Sequence, residues 1–209
     1  MIERKSNYEI QADKCKLEFI NWNHEDIAKK FNLKYDNSYL YIYFFSQKYR
    51  LNRITGDIEK TNDNITYIKA RHNEIMTILD LMSYSKDNLK LSGNWSKVTS
   101  LKGIIKTGGV SNHDDLFLLK SSRFKNRIND LEKACERLNG KKISTGDLGY
   151  IINVFEFLPI MIVFYEEDFD FPAEFKILWD ENILDYMHYE TTFYAVSHLF
   201  EKIEELAAN

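Results

Sequence analysis

The chain carries only two cysteines and two prolines in 209 residues, and no apolar run approaches the length of a membrane span. The longest, Leu158 to Tyr165, falls far short of the roughly 20 residues a bilayer-crossing helix needs. Met1 is followed by Ile2-Glu3-Arg4-Lys5-Ser6-Asn7, without the apolar stretch and small-residue cleavage site of a signal peptide. The expectation is therefore a cytoplasmic chain that does not enter a membrane. Cys15 and Cys135 lie outside any CxxC or Cys/His cluster, each on the apolar stripe of a predicted helix. They read as buried structural thiols, because a free cysteine behaves as a small hydrophobe.

Motifs are as sparse. Gly108-Gly109 is not followed by the GK[ST] of a phosphate-binding loop, and no GxGxxG follows a strand, so nucleotide binding is not indicated. No serine, cysteine or histidine stands in a nucleophile-elbow or protease-type context. No cofactor and no catalytic residue is assigned.

The composition that remains is that of a folded protein: 44% hydrophobic and 29% charged residues, near the average for soluble domains. Aromatics are the excess, with 13 Tyr, 14 Phe and 3 Trp. They suit half-buried sheet faces and interfaces as readily as a ligand pocket. A net charge of −4 and a pI near 5.8 argue against nucleic acid as the main partner. The charge is unevenly spread. Lys86 to Lys142 holds 13 Lys/Arg against 6 Asp/Glu, whereas Glu166 to Asn209 holds 2 Lys against 12 Asp/Glu. Segments of opposite sign attract one another or face solvent on opposite sides.

Periodicity outlines the elements. Tyr8, Ala12, Cys15, Phe19 and Trp22 recur at helical spacing, and Asn23 with Asp26 three residues on predicts a capped helix through Phe31. From Ser38 to Phe45, Tyr39, Tyr41 and Tyr43 alternate with Leu40, Ile42 and Phe44, which predicts a strand covered on both faces. A second strand over Lys48 to Ile54 turns at Thr55-Gly56-Asp57 into a short third. Ile68, His72, Ile75, Leu79 and Met82 predict a helix, and Lys86 to Asn112 an irregular, lysine-rich connection. A short helix capped by Ser111 or Asn112 should follow, then a longer one from Phe124 to Leu138, closed by Gly140. Gly149 to Phe157 and Ile160 to Glu166 predict strands separated by Leu158-Pro159, with one more at Phe175 to Trp179. A last helix runs from about Thr192 to Ala207. The fold class expected is α+β, one domain over 1–209 with a weak division near 86–112. Its antiparallel strands come from the N- and C-terminal thirds, with helices packed against them.

The order Phe157-Leu158-Pro159-Ile160-Met161-Ile162-Val163-Phe164-Tyr165-Glu166-Glu167-Asp168-Phe169-Asp170-Phe171-Pro172, then Ile177-Leu178-Trp179-Asp180, resembles the thirty-seven-eighty-six family of domains of unknown function. That family comes from anaerobic bacteria and archaea. Ser92-Gly93-Asn94-Trp95 and the Gly108-Gly109 pair are also similar to its pattern. Some relatives carry a separate cysteine-rich, iron–sulfur-type segment that is missing here. The resemblance implies no established activity, substrate or catalytic residue.

Two constellations stand out. Glu166, Asp168 and Asp170 with Asp180 and His188 offer oxygen and nitrogen donors for a hard divalent cation, or a carboxylate pair for acid–base work. The Gly and closing Glu of an EF-hand are absent, and a solvated connecting loop is the plain alternative. Trp95, Lys97, Lys102 and Lys106 in the glycine-punctuated middle suggest a cradle for a small anionic ligand, or simply an exposed loop. His72, on an otherwise apolar stripe, reads as a hydrogen-bonded core histidine or a ligand contact. Three functions remain open: a non-catalytic small-ligand or cofactor-binding accessory protein, a protein–protein interaction module, and a divalent-metal-dependent hydrolase. Oligomeric state is left open.

Overall fold

The computed structural model describes residues 6–101 and 120–208. Within them the alternation between residues 38 and 45 becomes a strand with one buried face. Leu40, Ile42 and Phe44 are buried, Tyr39 and Tyr41 half-buried and Tyr43 exposed. The expectation of cover on both sides is corrected, for a physical reason: cations lie over the tyrosines. The Arg50 guanidinium stacks 4.5 Å from the Tyr39 ring and 3.5 Å from that of Tyr67, and Lys48 Nζ sits 5.1 Å above Tyr41. A tyrosine face can be satisfied by stacked cations and water instead of a second apolar layer.

The chain divides into two compact units, Met1–Leu89 with Asp185–Ala195, and Lys90–Leu184 with Val196–Asn209. The first holds an antiparallel meander of five strands in sequence order, β1 (Lys34–Tyr35), β2 (Tyr39–Phe44), β3 (Gln47–Asn52), β4 (Ile58–Thr61) and β5 (Ile68–Lys69). Helix α1 (Asn7–Phe19) packs on α3 (His72–Tyr84), and α2 (His24–Phe31) lies between them in sequence. The helix expected from Ile68 starts four residues later. Ile68 and Lys69 pair instead with Lys60 and Glu59, so Ile68 ends 57% exposed on a strand. Asn23 does cap α2, its side-chain oxygen accepting from the Asp26 N–H at 3.3 Å.

The second unit contains a sheet in the order β6 (Trp95–Ser96), β10 (Glu174–Asp180), β9 (Leu158–Tyr165), β8 (Leu148–Phe155) and β7 (Lys141–Ile143). Helix α4 (Ile128–Arg137) packs on β8. In the core Phe175 meets Phe164, Phe124 and Phe200 at 4.7–5.9 Å between rings. The turn between β8 and β9 comes at Glu156-Phe157, two residues before the one expected at Leu158-Pro159. Pro159 is the second residue of β9, opposite Asn153 at a register shift between Asn153 and Phe155. A bulge is one of the few places in a sheet where a missing N–H leaves no ladder bond unmade.

Helix α5 (Tyr189–Ala207) closes the chain, its first seven residues assigned to the first unit and the rest to the second. The fold class is α+β with antiparallel strands from the N- and C-terminal parts and helices against them, and the strands form two sheets. No helix among the described residues is long and apolar enough to cross a membrane. Lys102, Lys106 and the helix expected from Ser111 or Asn112 lie outside the described residues.

Candidate functional site

In the first unit the end of α1 is followed by Trp22 and the Asn23 cap, so that α2 starts beside the last turn of α3. Between them lies a cleft of about 780 Å³ lined by Trp22, Asn23, Asp26, Ile27, Lys29, Lys30, Met82, Ser83 and Asp87. This is within the size range of small-molecule sites. Trp22, half-buried, is braced edge-on by the fully buried Phe19 at 5.6 Å. Together with Ile27 and Met82 it gives the cleft its apolar wall. The rim is charged. Lys30 Nζ donates to the Ser85 carbonyl at 2.6 Å and lies 3.9 Å from Asp87, while Asp26 accepts from the Asn23 amide at 2.7 Å. Lys29 is exposed. Such a site can hold the flat or apolar body of a small molecule and pair its charged group.

None of the candidate site residues chosen from sequence lines this cleft. Its signals were present but read as structure, Trp22 as part of a helical stripe and Asn23 with Asp26 as a cap.

Asp180, chosen as a cation ligand, is 2% exposed. Its Oδ1 accepts from the backbone N–H groups of Ser92 and Asn182 at 2.9 Å each, and its Oδ2 from that of Gly93 at 2.8 Å. Burial pushes its carboxyl up, but those backbone donors outweigh it and hold it below the usual carboxylate range. The carboxylate thus fixes the Ser92–Asn94 loop, whose Asn94 carbonyl accepts from the Glu181 N–H at 3.0 Å. Trp95 follows in β6, opposite Asp180 and half-buried, with Lys97 exposed beyond it.

Asp168 turns inward on its own loop, its Oδ1 accepting from the N–H groups of Asp170 and Phe171. Glu166 is tied through its N–H to Asp147 at 2.8 Å. His188 belongs to the first unit, where Asp80 on α3 takes both its ring Nδ1–H at 2.6 Å and its backbone N–H at 2.9 Å. A carboxylate only accepts, so the proton of the neutral ring sits on Nδ1 and leaves Nε2 as the acceptor. The Tyr84 ring packs on the imidazole at 3.6 Å. Among the described residues no three or more His, Cys, Asp and Glu side chains stand close enough together to hold a metal ion.

His72 opens α3 instead of lying within it. Its Nδ1 faces the Tyr8 carbonyl at 3.1 Å, with the rings of Tyr8 and Tyr194 at 4.9 and 5.3 Å. Burial lowers its pKa below the ordinary value, more than the Tyr8 carbonyl raises it. Cys135 is buried and its thiol is pushed up to about 12, chiefly by burial, while Cys15 is only half-buried, against the expectation for it. His24 is held from both sides. It meets the Phe19 carbonyl at 2.8 Å and accepts from Arg53 at 3.3 Å.

A family model described as Domain of unknown function (DUF3786) matches residues 23–202. The chain belongs to this family. The DUF3786 match runs through both compact units and includes Ser92-Gly93-Asn94-Trp95 and Asp180. These are residues that carried the resemblance in sequence, and the structure joins them by hydrogen bonds. Comparison with curated proteins and with solved structures gives no match.

Proposed function

We propose that this DUF3786 protein is a non-catalytic binding protein for a small charged ligand, held in the cleft between α2 and the end of α3. The observation that supports the reading is the combination of an open volume of about 780 Å³ with Trp22, Ile27 and Met82 on its walls and Asp26, Lys29 and Asp87 around it. Apolar walls supply affinity through burial, and the few charged groups orient the ligand.

Trp22 provides the readout. Titration with a panel of small carboxylates, phosphates and amines should change tryptophan emission for the compounds that bind, and the change should be lost in Trp22→Phe. A compound present at about 100 times its Kd stabilises the folded state by about 2.7 kcal/mol, which raises Tm by several degrees. Ser83→Arg, at an exposed position on the cleft lining, should fill the cleft and abolish both responses while leaving the unliganded Tm within a few degrees of wild type. A panel that moves neither emission nor Tm, or moves them equally in Ser83→Arg, would overturn the assignment.

A further inference from the structure

Phe169 and Phe171 sit in the turn that joins β9 to β10, 102% and 70% exposed, whereas every other described phenylalanine is buried or half-buried. A single exposed apolar side chain is ordinary. Two rings on one short turn, each forgoing roughly 1.5–3 kcal/mol of available burial, mark a contact surface. The turn is held from within. Asp168 donates its N–H to the Phe171 carbonyl at 3.0 Å, and its Oδ1 accepts from Asp170 at 2.9 Å and from Phe171 at 2.8 Å. Its flank is anchored by Glu166 to Asp147 and by Glu167 to Lys125 at 2.6 Å. Rings presented on such a turn lose little conformational freedom when they dock.

Glu166, Asp168 and Asp170 flank the two rings in sequence. They repel nucleic-acid phosphates and anionic lipid headgroups, and they complement lysine and arginine. A second copy is a poor complement. The chain is net −4, and several, though not all, basic groups of this unit are engaged within it: Lys120 and Arg123 with Glu204, Lys125 with Glu167, and Lys142 with Glu132. We propose that the β9–β10 turn is a docking element for a different protein, one that offers an apolar pocket for Phe169 and Phe171 inside a rim of lysine or arginine.

The full chain with p-benzoylphenylalanine in place of Phe169 is irradiated in the cells that make it, and the protein joined to it is identified, purified separately and titrated with the unmodified chain. Phe169→Ser and Phe171→Ser should each weaken Kd about 10-fold or more, the loss expected of an interface anchor, with Tm unchanged because neither ring is packed. Raising the salt concentration should weaken binding of the wild-type chain. The proposal fails if irradiation joins the chain only to itself or to nothing, if the purified partner does not bind, or if the serine variants bind as tightly as wild type.

Discussion

Replacing Asp180 by Asn keeps the size of the side chain but turns one acceptor oxygen into a donor that faces the N–H groups of Ser92 and Asn182 or of Gly93. A buried group left unsatisfied costs about 1–3 kcal/mol. Asp180→Asn should therefore lower Tm and loosen the 92–94 loop, read as faster amide exchange at Ser92 and Gly93. Equal exchange in the two proteins would show that the carboxylate does not hold the loop. Glu74 is the parallel case in the first unit. It is fully buried and accepts from the Tyr49 hydroxyl at 2.5 Å, from Lys60 Nζ at 2.6 Å and from the Arg71 N–H at 2.6 Å. Glu74→Ala removes one partner of a buried ion pair and should cost about 3 kcal/mol or more, measured by denaturant unfolding. Sequence pointed to Asp180 as one of a set of carboxylates that could ligate a divalent cation. It could not show that three backbone donors, two of them 87 and 88 positions away, would fill both oxygens. The partner that His188 does have, Asp80, lies 108 positions off and is not visible from sequence spacing.

Helices and strands with strong period were readable to within a few residues, and the departures have local causes. Turn position between β8 and β9 depended on a bulge that accommodates Pro159, and a bulge leaves no periodic signal. The start of α3 was misplaced because Ile68 fits a helical stripe as well as it fits the short strand β5, and only pairing with β4 decides. Gly56 shows how closely two elements meet. It has a φ of +72°, and a Cβ there would fall on the Lys16 carbonyl oxygen of α1. Gly56→Ala meets both backbone strain and a backbone contact that cannot swing aside. Destabilisation of more than about 1 kcal/mol is expected, with the loss concentrated in α1 and the β3–β4 turn by hydrogen exchange. A variant as stable as wild type would show that α1 is free to move off the turn.

At the scale of the whole molecule, stability should fall in two steps as the solution is acidified. His72 has its pKa lowered below 6.5 by burial beside Tyr8 and Tyr194. The unfolded chain therefore takes up a proton at this position before the folded one does, and stability falls as pH drops through 6.5 toward the folded value. Asp180 acts lower down. Its carboxyl titrates below the ordinary 3.8 in the fold, so the stability it contributes is present above 3.8 and is lost as pH falls through its folded pKa. Tm measured between about pH 8 and pH 5 should decline less in His72→Gln than in wild type; parallel curves would remove His72 from the account. Composition and periodicity by themselves determined the α+β class, most of the elements, the lack of any apolar run long enough to cross a membrane and the split between a basic middle and an acidic C-terminal third. These follow from local spacing and from charge counts, which need no partner. Only the tertiary structure decided that the strands form two sheets, that Asp180 holds a loop, that Trp22 and Met82 face one cleft, and that Phe169 and Phe171 stay in solvent. Each of those depends on residues distant in sequence finding or failing to find one another, and one chain's spacing does not record which pairings win.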